Sequence, residues 1–356
     1  MSVEMTLYTR RGTRDQIRRL VVSLGAENSS HLWDCPKGSL HFHWFDATDF
    51  KSADGVEITV YPLTPEQQAE HRSGPFALHT RTRIAASSFD RQQQNVVMRA
   101  ARRSFGGWFY NDWHGRNRYT PVEPDRRTPS GRGIALAHEF VTSQIASVRA
   151  TLPAPSQGFP TEGKLAVLAR LDPTRVLYNA LVPFVVATLE HFFSQTFKIL
   201  LRYDGRAQKR LLEQSRKVDM KDLLAVASKS KRVEDVVAEW YSFQSLGSIQ
   251  AAFKDWFGID LRRLLRRRRK IVDRVGFLDE TWEQLINRRH DLVHRFEIDR
   301  GLSRDQIDRL LASASLLIDT TTDHLERDRG MIIFEPWMHR YDRRVKRHAV
   351  SQKAEA

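Results

Sequence analysis

The stretch NRRHDLVHR, residues 287–295, places two histidines four positions apart behind a pair of arginines. Imidazole titrates near neutrality, so His290 and His294 are suited to moving a proton to or from a reacting oxygen. Arg288 and Arg289 stay charged and can hold phosphate oxygens in a fixed fork. Such a set matches the needs of phosphodiester cleavage in RNA, which carries its own nucleophile. That reaction requires a base near the 2′-OH, an acid near the 5′-oxygen and positive charge at the phosphorane.

Spacing alone does not single the set out. Arg289 and His294 are five apart, and Arg72/His79, Arg132/His138 and Arg343/His348 offer similar pairs in this arginine-rich chain. On an ideal helix Arg289 and His294 lie about 140° apart, so the long arginine side chain or a helix break must close the angle. His290 and His294 lie about 40° apart by the same geometry, which places His290 to orient or assist. Two other readings compete. A His-x3-His pair can bind zinc, but a third ligand and the glutamate of H-E-x-x-H are missing, and Asp291 points elsewhere on the helix. A solvated polar face, with Leu292 and Val293 toward a core, is the other.

A second cationic feature precedes this one. DLRRLLRRRRKIVDR, residues 260–274, holds eight basic residues between Arg262 and Arg274 against the one acid Asp273. Leu261, Leu264, Leu265 and Val272 follow helical spacing, so the run reads as one helix over 259–273 with an apolar stripe. Its other faces would project Arg262, Arg263, Arg266, Arg267, Arg269 and Lys270 as a phosphate track leading toward the histidines. An import signal or a solvated helix face is the alternative.

Helices must position both features. From about residue 164 the pattern is helical throughout, with helices expected at 174–203, 206–216, 219–228, 232–242, 246–256, 259–273, 279–295 and 304–327. Pro183 either kinks the first or marks its true start. Ser303 and Gln306 form a capping box for the last. The apolar run Leu181–Leu201 has membrane-spanning length, but Glu190, His191, Gln195 and Lys198 within it argue for a buried helix.

The first half differs in kind. Val3–Tyr8, Leu40–Phe45, Val56–Tyr61 and Phe76–Thr82 read as strands, with helices opening at the Thr13/Gln16 capping box and at Ser87. Residues 105–133 read as a loop-like insert in which Trp108, Phe109, Tyr110, Trp113 and Tyr119 alternate with Arg116, Arg118, Arg126 and Arg127. Such a loop could stack bases, or its aromatics could tuck back onto the sheet. A helix over 134–152 and a Pro/Gly-rich linker over 153–163 follow.

The expected organisation is therefore an α+β domain over 1–152, an all-α bundle over 164–328 and a basic tail over 329–356. The net charge of +14 favours polyanionic partners. A lone cysteine, Cys35, fits a reducing cytoplasm, and the N-terminus lacks the apolar core of a signal peptide. No membrane association is expected.

SFQSLGSIQAAFKDWFGIDL (242–261), followed by WEQLINRRHDLVHRFEID (282–299), resembles the HEPN superfamily of helical bundles with an R-x(4–6)-H motif. VVATLEHFFSQTF (185–197) is similar to the opening helix of that bundle. In this likeness Arg289 is the motif arginine, His290 the polar residue after it and His294 the motif histidine. Glu190 matches an acidic residue often found in the opening helix, as a supporting acid. The likeness covers about residues 170–328, and its specific part is confined to 242–299.

The resemblance implies a metal-independent endoribonuclease without cofactor, acting as a homodimer with motif residues of both protomers in one cleft. Many such proteins are toxins, with an antitoxin or regulatory protein as partner, or antiviral effectors. Some members do not cleave, and only bind RNA or a partner. Residues 1–152 have no such match, and a sensing, RNA-recognition or regulatory role is expected of them.

Overall fold

The computed structural model describes residues 2–30, 35–156, 172–272 and 274–334. The expected linker beyond Ser156 and the tail beyond Phe334 lie outside them. The chain divides into two compact units, residues 1–126 and 127–356.

The first unit is an antiparallel sheet with two of its helices packed on one face. Its elements are β1 (Ser2–Tyr8), α1 (Arg14–Ser23), β2 (Glu27–Asn28), β3 (Leu40–Trp44), β4 (Val56–Pro62), α2 (Pro65–His71), β5 (Phe76–Arg83), α3 (Ser88–Phe105), β6 (Trp108–Asn111) and β7 (Gly115–Arg116). The strand order is β2-β3-β4-β5-β1-β6-β7. Period-two alternation sends Met5, Leu7, Phe42, Ile58, Val60, Leu78 and Phe109 to one face. There they pack on Ile17 and Val21 of α1 and on Val97, Met98 and Phe105 of α3. The Thr13/Gln16 and Ser87/Asp90 boxes cap those two helices.

The expected loop at 105–133 is in part a hairpin. Trp108–Asn111 pairs with β1, Leu7 opposite Phe109. Gly107 makes this approach feasible: its φ is +97°, and a Cβ there would stand 2.0 Å from the Tyr8 carbonyl oxygen. Several aromatics do tuck back. Arg116 lies over Trp108 at 4.5 Å and Arg99 over Tyr119 at 4.8 Å, while Tyr110 and Trp113 remain about half exposed.

The second unit contains α4 (Pro129–Ala150), α5 (Thr174–Tyr203), α6 (Gly205–Leu212), α7 (Met220–Ala227), α8 (Val233–Ala238), α9 (Leu246–Phe257), α10 (Leu261–Leu265), a hairpin of β8 (Arg268–Ile271) and β9 (Arg274–Phe277), α11 (Leu278–His294) and α12 (Arg304–Arg329). The helix expected to close the first domain, α4, belongs here, so the boundary lies at 126/127 instead of 152. The Pro/Gly-rich stretch that suggested a boundary lies between two helices of one bundle. Ile134, Val141 and Ile145 form the buried stripe of α4. His138 Nε2 meets Asp319 at 2.8 Å, and Arg149 forks onto Asp308 at 2.8 and 3.0 Å, both partners on α12.

Helix α5 runs unbroken through Pro183, which marks no start. It is long and apolar enough to cross a membrane. Its stripe Tyr178, Val182, Val185, Leu189, Phe192 and Phe193 is nonetheless buried against the other helices. Phe193 stacks on Trp282 of α11 at 4.8 Å, and Phe197 meets Phe253, Phe257 and Trp256 of α9.

The arginine run is not one helix. Leu261, Leu264 and Leu265 are buried as expected, but α10 ends at Leu265 and the chain turns into β8. Five consecutive cations from Arg266 would stack like charges at i,i+3 and i,i+4 on a helix, and nothing apolar would anchor that turn. In the hairpin Ile271 takes the buried position. Val272, expected on the apolar stripe, sits in the turn with φ +57° and is 48% exposed.

Candidate functional site

Helix α11 carries two opposed faces. Leu278, Trp282 and Leu285 are buried and fix it against the bundle. Asp279 and Glu280 in its first turn complement the helix dipole. Glu283, Asn287, His290 and His294 are all exposed. At 100° per residue these four fall within about 60° of one another, forming one polar stripe along the helix. The two imidazoles close that stripe, their ring centroids 4.8 Å apart and their planes inclined by 44°.

Arg289 does not join them. It continues the bundle-facing stripe of Trp282 and Leu285, and its Nη2 stands 4.0 Å from Oε1 of Glu190 on α5. Both side chains are about three-quarters buried. Burial pushes the Glu190 carboxyl up from its usual range, and the guanidinium pulls the other way. Oε1 is buried without a hydrogen bond among the described residues. The arginine and the histidines expected to converge therefore lie on different sides of one helix, as the 140° offset implies.

Arg288 is also engaged. It pairs with Asp299, whose backbone is held by Asn179 of α5: Asn179 Oδ1 accepts from Asp299 N at 2.9 Å, and its Nδ2 donates to Asp299 O at 2.9 Å. This sews the segment after α11 to α5, and Arg288 serves that tie. Asp291 accepts from Arg295 at 3.2 Å near the helix end. Among the described residues no three metal-ligating side chains converge.

The expected phosphate track is split in two. Arg262, Arg263 and Arg266 line an open cleft with Gln250, Lys254 and Asp260. The register of the hairpin, Arg268 opposite Phe277 and Lys270 opposite Val275, puts those four side chains on one face. Arg269 lies on the other face, half-buried, beside the buried Ile271. Arg267 is exposed between the two groups. Lys254 and Arg268 escaped the sequence reading. Lys254 belongs to a different helix from the arginine run, and Arg268 loses its distinctness inside an unbroken run.

Compared with known proteins, the chain matches no family model, no curated protein and no solved structure.

Proposed function

We propose that the second unit is a metal-independent endoribonuclease of HEPN-like type, in which His290 and His294 move protons for attack of the RNA 2′-OH on its own phosphate. The observation that carries this reading is the exposed pair of imidazoles, 4.8 Å apart, at the end of a polar stripe on α11. Two imidazoles at that separation can act as base and acid on neighbouring oxygens. Arg289, two helix faces away and held by Glu190, is the charge that must turn to the phosphate or be supplied by a second copy of the chain. A homodimer serves the second route, with the arginine of one protomer reaching the histidines of its partner. On this reading the protein acts on cytoplasmic RNA as a toxin or antiviral effector, with a regulatory protein as natural partner.

The rival is a bundle that binds RNA or a partner without cleaving. The Arg289–Glu190 contact favours it, because it ties down the residue that would stabilise the phosphorane. Incubating mixed RNAs with wild-type and His294→Ala protein in EDTA separates the two. Cleavage leaving 2′,3′-cyclic phosphate ends in the wild type, absent in the variant, supports the nuclease. Intact RNA with both proteins supports the rival.

A further inference from the structure

An open cleft of about 620 Å³ lies where α9 meets α10, lined by Gln250, Lys254, Asp260, Arg262, Arg263 and Arg266. Its frame is tied together by hydrogen bonds. Gln250 Oε1 accepts from the Arg262 backbone N at 2.9 Å, and its Nε2 donates to Asp260 Oδ1 at 3.2 Å. The same carboxylate oxygen accepts from the Arg263 backbone N at 3.0 Å. The lone acid of the cleft is thus turned into its framework. Lys254, Arg263 and Arg266 are exposed and carry no ion pair among the described residues. Lys254, Arg263 and Arg266 around one concave surface, with Asp260 as the one carboxylate of its lining, leave a net positive site suited to phosphate groups.

The cleft connects to α11. Arg262 reaches Glu283 across 3.6 Å, and Glu283 opens the exposed stripe that continues through Asn287 to His290 and His294. At 1.5 Å per residue, His290 lies about 10 Å and His294 about 16 Å along the helix from Glu283.

We infer that the Lys254–Arg263–Arg266 cleft anchors the backbone of a single RNA strand, which then runs along the Glu283–Asn287–His290–His294 stripe. This rests on the proposed action on RNA and adds where the strand is gripped and how long it must be. A helical strand advances about 3.4 Å per phosphate, so the stretch from Glu283 to the histidines alone takes about three to five phosphates, beyond those held in the cleft. RNA shorter than that reaches the histidines or the cleft, but not both.

The test measures binding in a His294→Ala background, so that cleavage cannot interfere. Fluorescence anisotropy is recorded with labelled single-stranded RNAs of three and sixteen nucleotides over a range of salt. Lys254, Arg263 and Arg266 are replaced together by glutamine, and circular dichroism checks that the bundle persists. The expected result is a loss of about tenfold or more for the sixteen-mer, with the log-affinity against log-salt slope flattened by about two units, from about 0.7 per lost contact. The trimer, long enough for the cleft or the stripe alone, should bind the intact cleft more weakly than the sixteen-mer does. An unchanged slope and affinity for the sixteen-mer overturns the inference, as does equal affinity of the trimer and the sixteen-mer for the protein with the cleft intact. The nuclease reading fails separately, if wild-type protein grips the sixteen-mer through the cleft yet leaves it uncut.

Discussion

Glu190 and Arg289 face each other from α5 and α11 with 4.0 Å between Oε1 and Nη2, and no hydrogen bond reaches that oxygen among the described residues. The pair is close enough to attract and too far apart to bond. A buried carboxyl held in this way has a raised proton affinity in the folded chain, first from burial and then offset by the arginine. Between its unfolded value near 4.5 and its higher folded value, the folded state binds more protons, so this group's contribution to stability falls as pH rises through that window.

Removing the arginine exposes that cost. Arg289→Ala should destabilise the bundle by about 1–3 kcal/mol at neutral pH, because it leaves a buried carboxylate without its partner. Adding Glu190→Gln should recover most of the loss and flatten the pH dependence between 4.5 and neutrality. Urea denaturation followed across pH reads both. An equally unstable double variant would mean that the arginine acts through packing of its stem and not through charge.

The histidines call for a different outcome. His294→Ala should lower RNA cleavage by about a hundredfold or more with the fold unchanged, since the ring is exposed and its role would be proton transfer. His290→Ala should cost less, because water can partly replace an assisting group. Rates on one defined RNA, beside a melting curve for each variant, give the comparison. Wild-type rates in the His294 variant would remove the catalytic assignment.

Glycine 131 tests the placement of α4. A Cβ there would stand 1.9 Å from the Ile332 backbone oxygen, an atom that no rotamer change can move aside. Gly131→Ala should therefore destabilise the second unit by about 1–3 kcal/mol, as overpacked sites do. Gly247, at the start of α9, has nothing within 4 Å of its Cβ position. Gly247→Ala should be neutral or stabilise by up to about 1 kcal/mol through the unfolded chain. Thermal unfolding that ranks the two in the reverse order would contradict the docking of α4 on the segment after α12.

Much of this architecture is legible where local chemistry is sufficient. Thr13, Ser87 and Ser303 cap helices because each has a side-chain partner three residues on, a signal complete within one turn. The strands of the first unit show themselves by alternation. What escaped depends on distant partners. Nothing in residues 129–150 states that Ile134, Val141 and Ile145 will find α5 and α12 instead of the sheet. Leu261, Leu264 and Leu265 promised a long helix, and the five cations after them bend into a hairpin that is stabilised by pairing with Arg274–Phe277. At the site, helical geometry foretold the His290–His294 proximity and the offset of Arg289. Its engagement by Glu190 required knowing which face of α11 the bundle covers.

That offset leads to the last prediction, which concerns self-association. The α5 surface exposes Leu177 and Phe184, and the end of α11 exposes Val293 with Phe296 just beyond, at 55%, 37%, 43% and 85%. Apolar side chains at these levels become favourable contacts when a second surface covers them. If a second chain supplies the arginine that one chain turns inward, an Arg289→Ala protomer still offers histidines and a His294→Ala protomer still offers an arginine. Mixing the two inactive proteins should then restore roughly a quarter of wild-type cleavage, since half the random dimers are hybrids and each holds one complete site. Phe184→Asp with Phe296→Asp should abolish the restoration and shift the protein to monomer in sedimentation velocity. A wild type that sediments as a monomer at assay concentration and still cleaves would require Arg289 to leave Glu190 within its own chain, and the dimer would have no part in the chemistry.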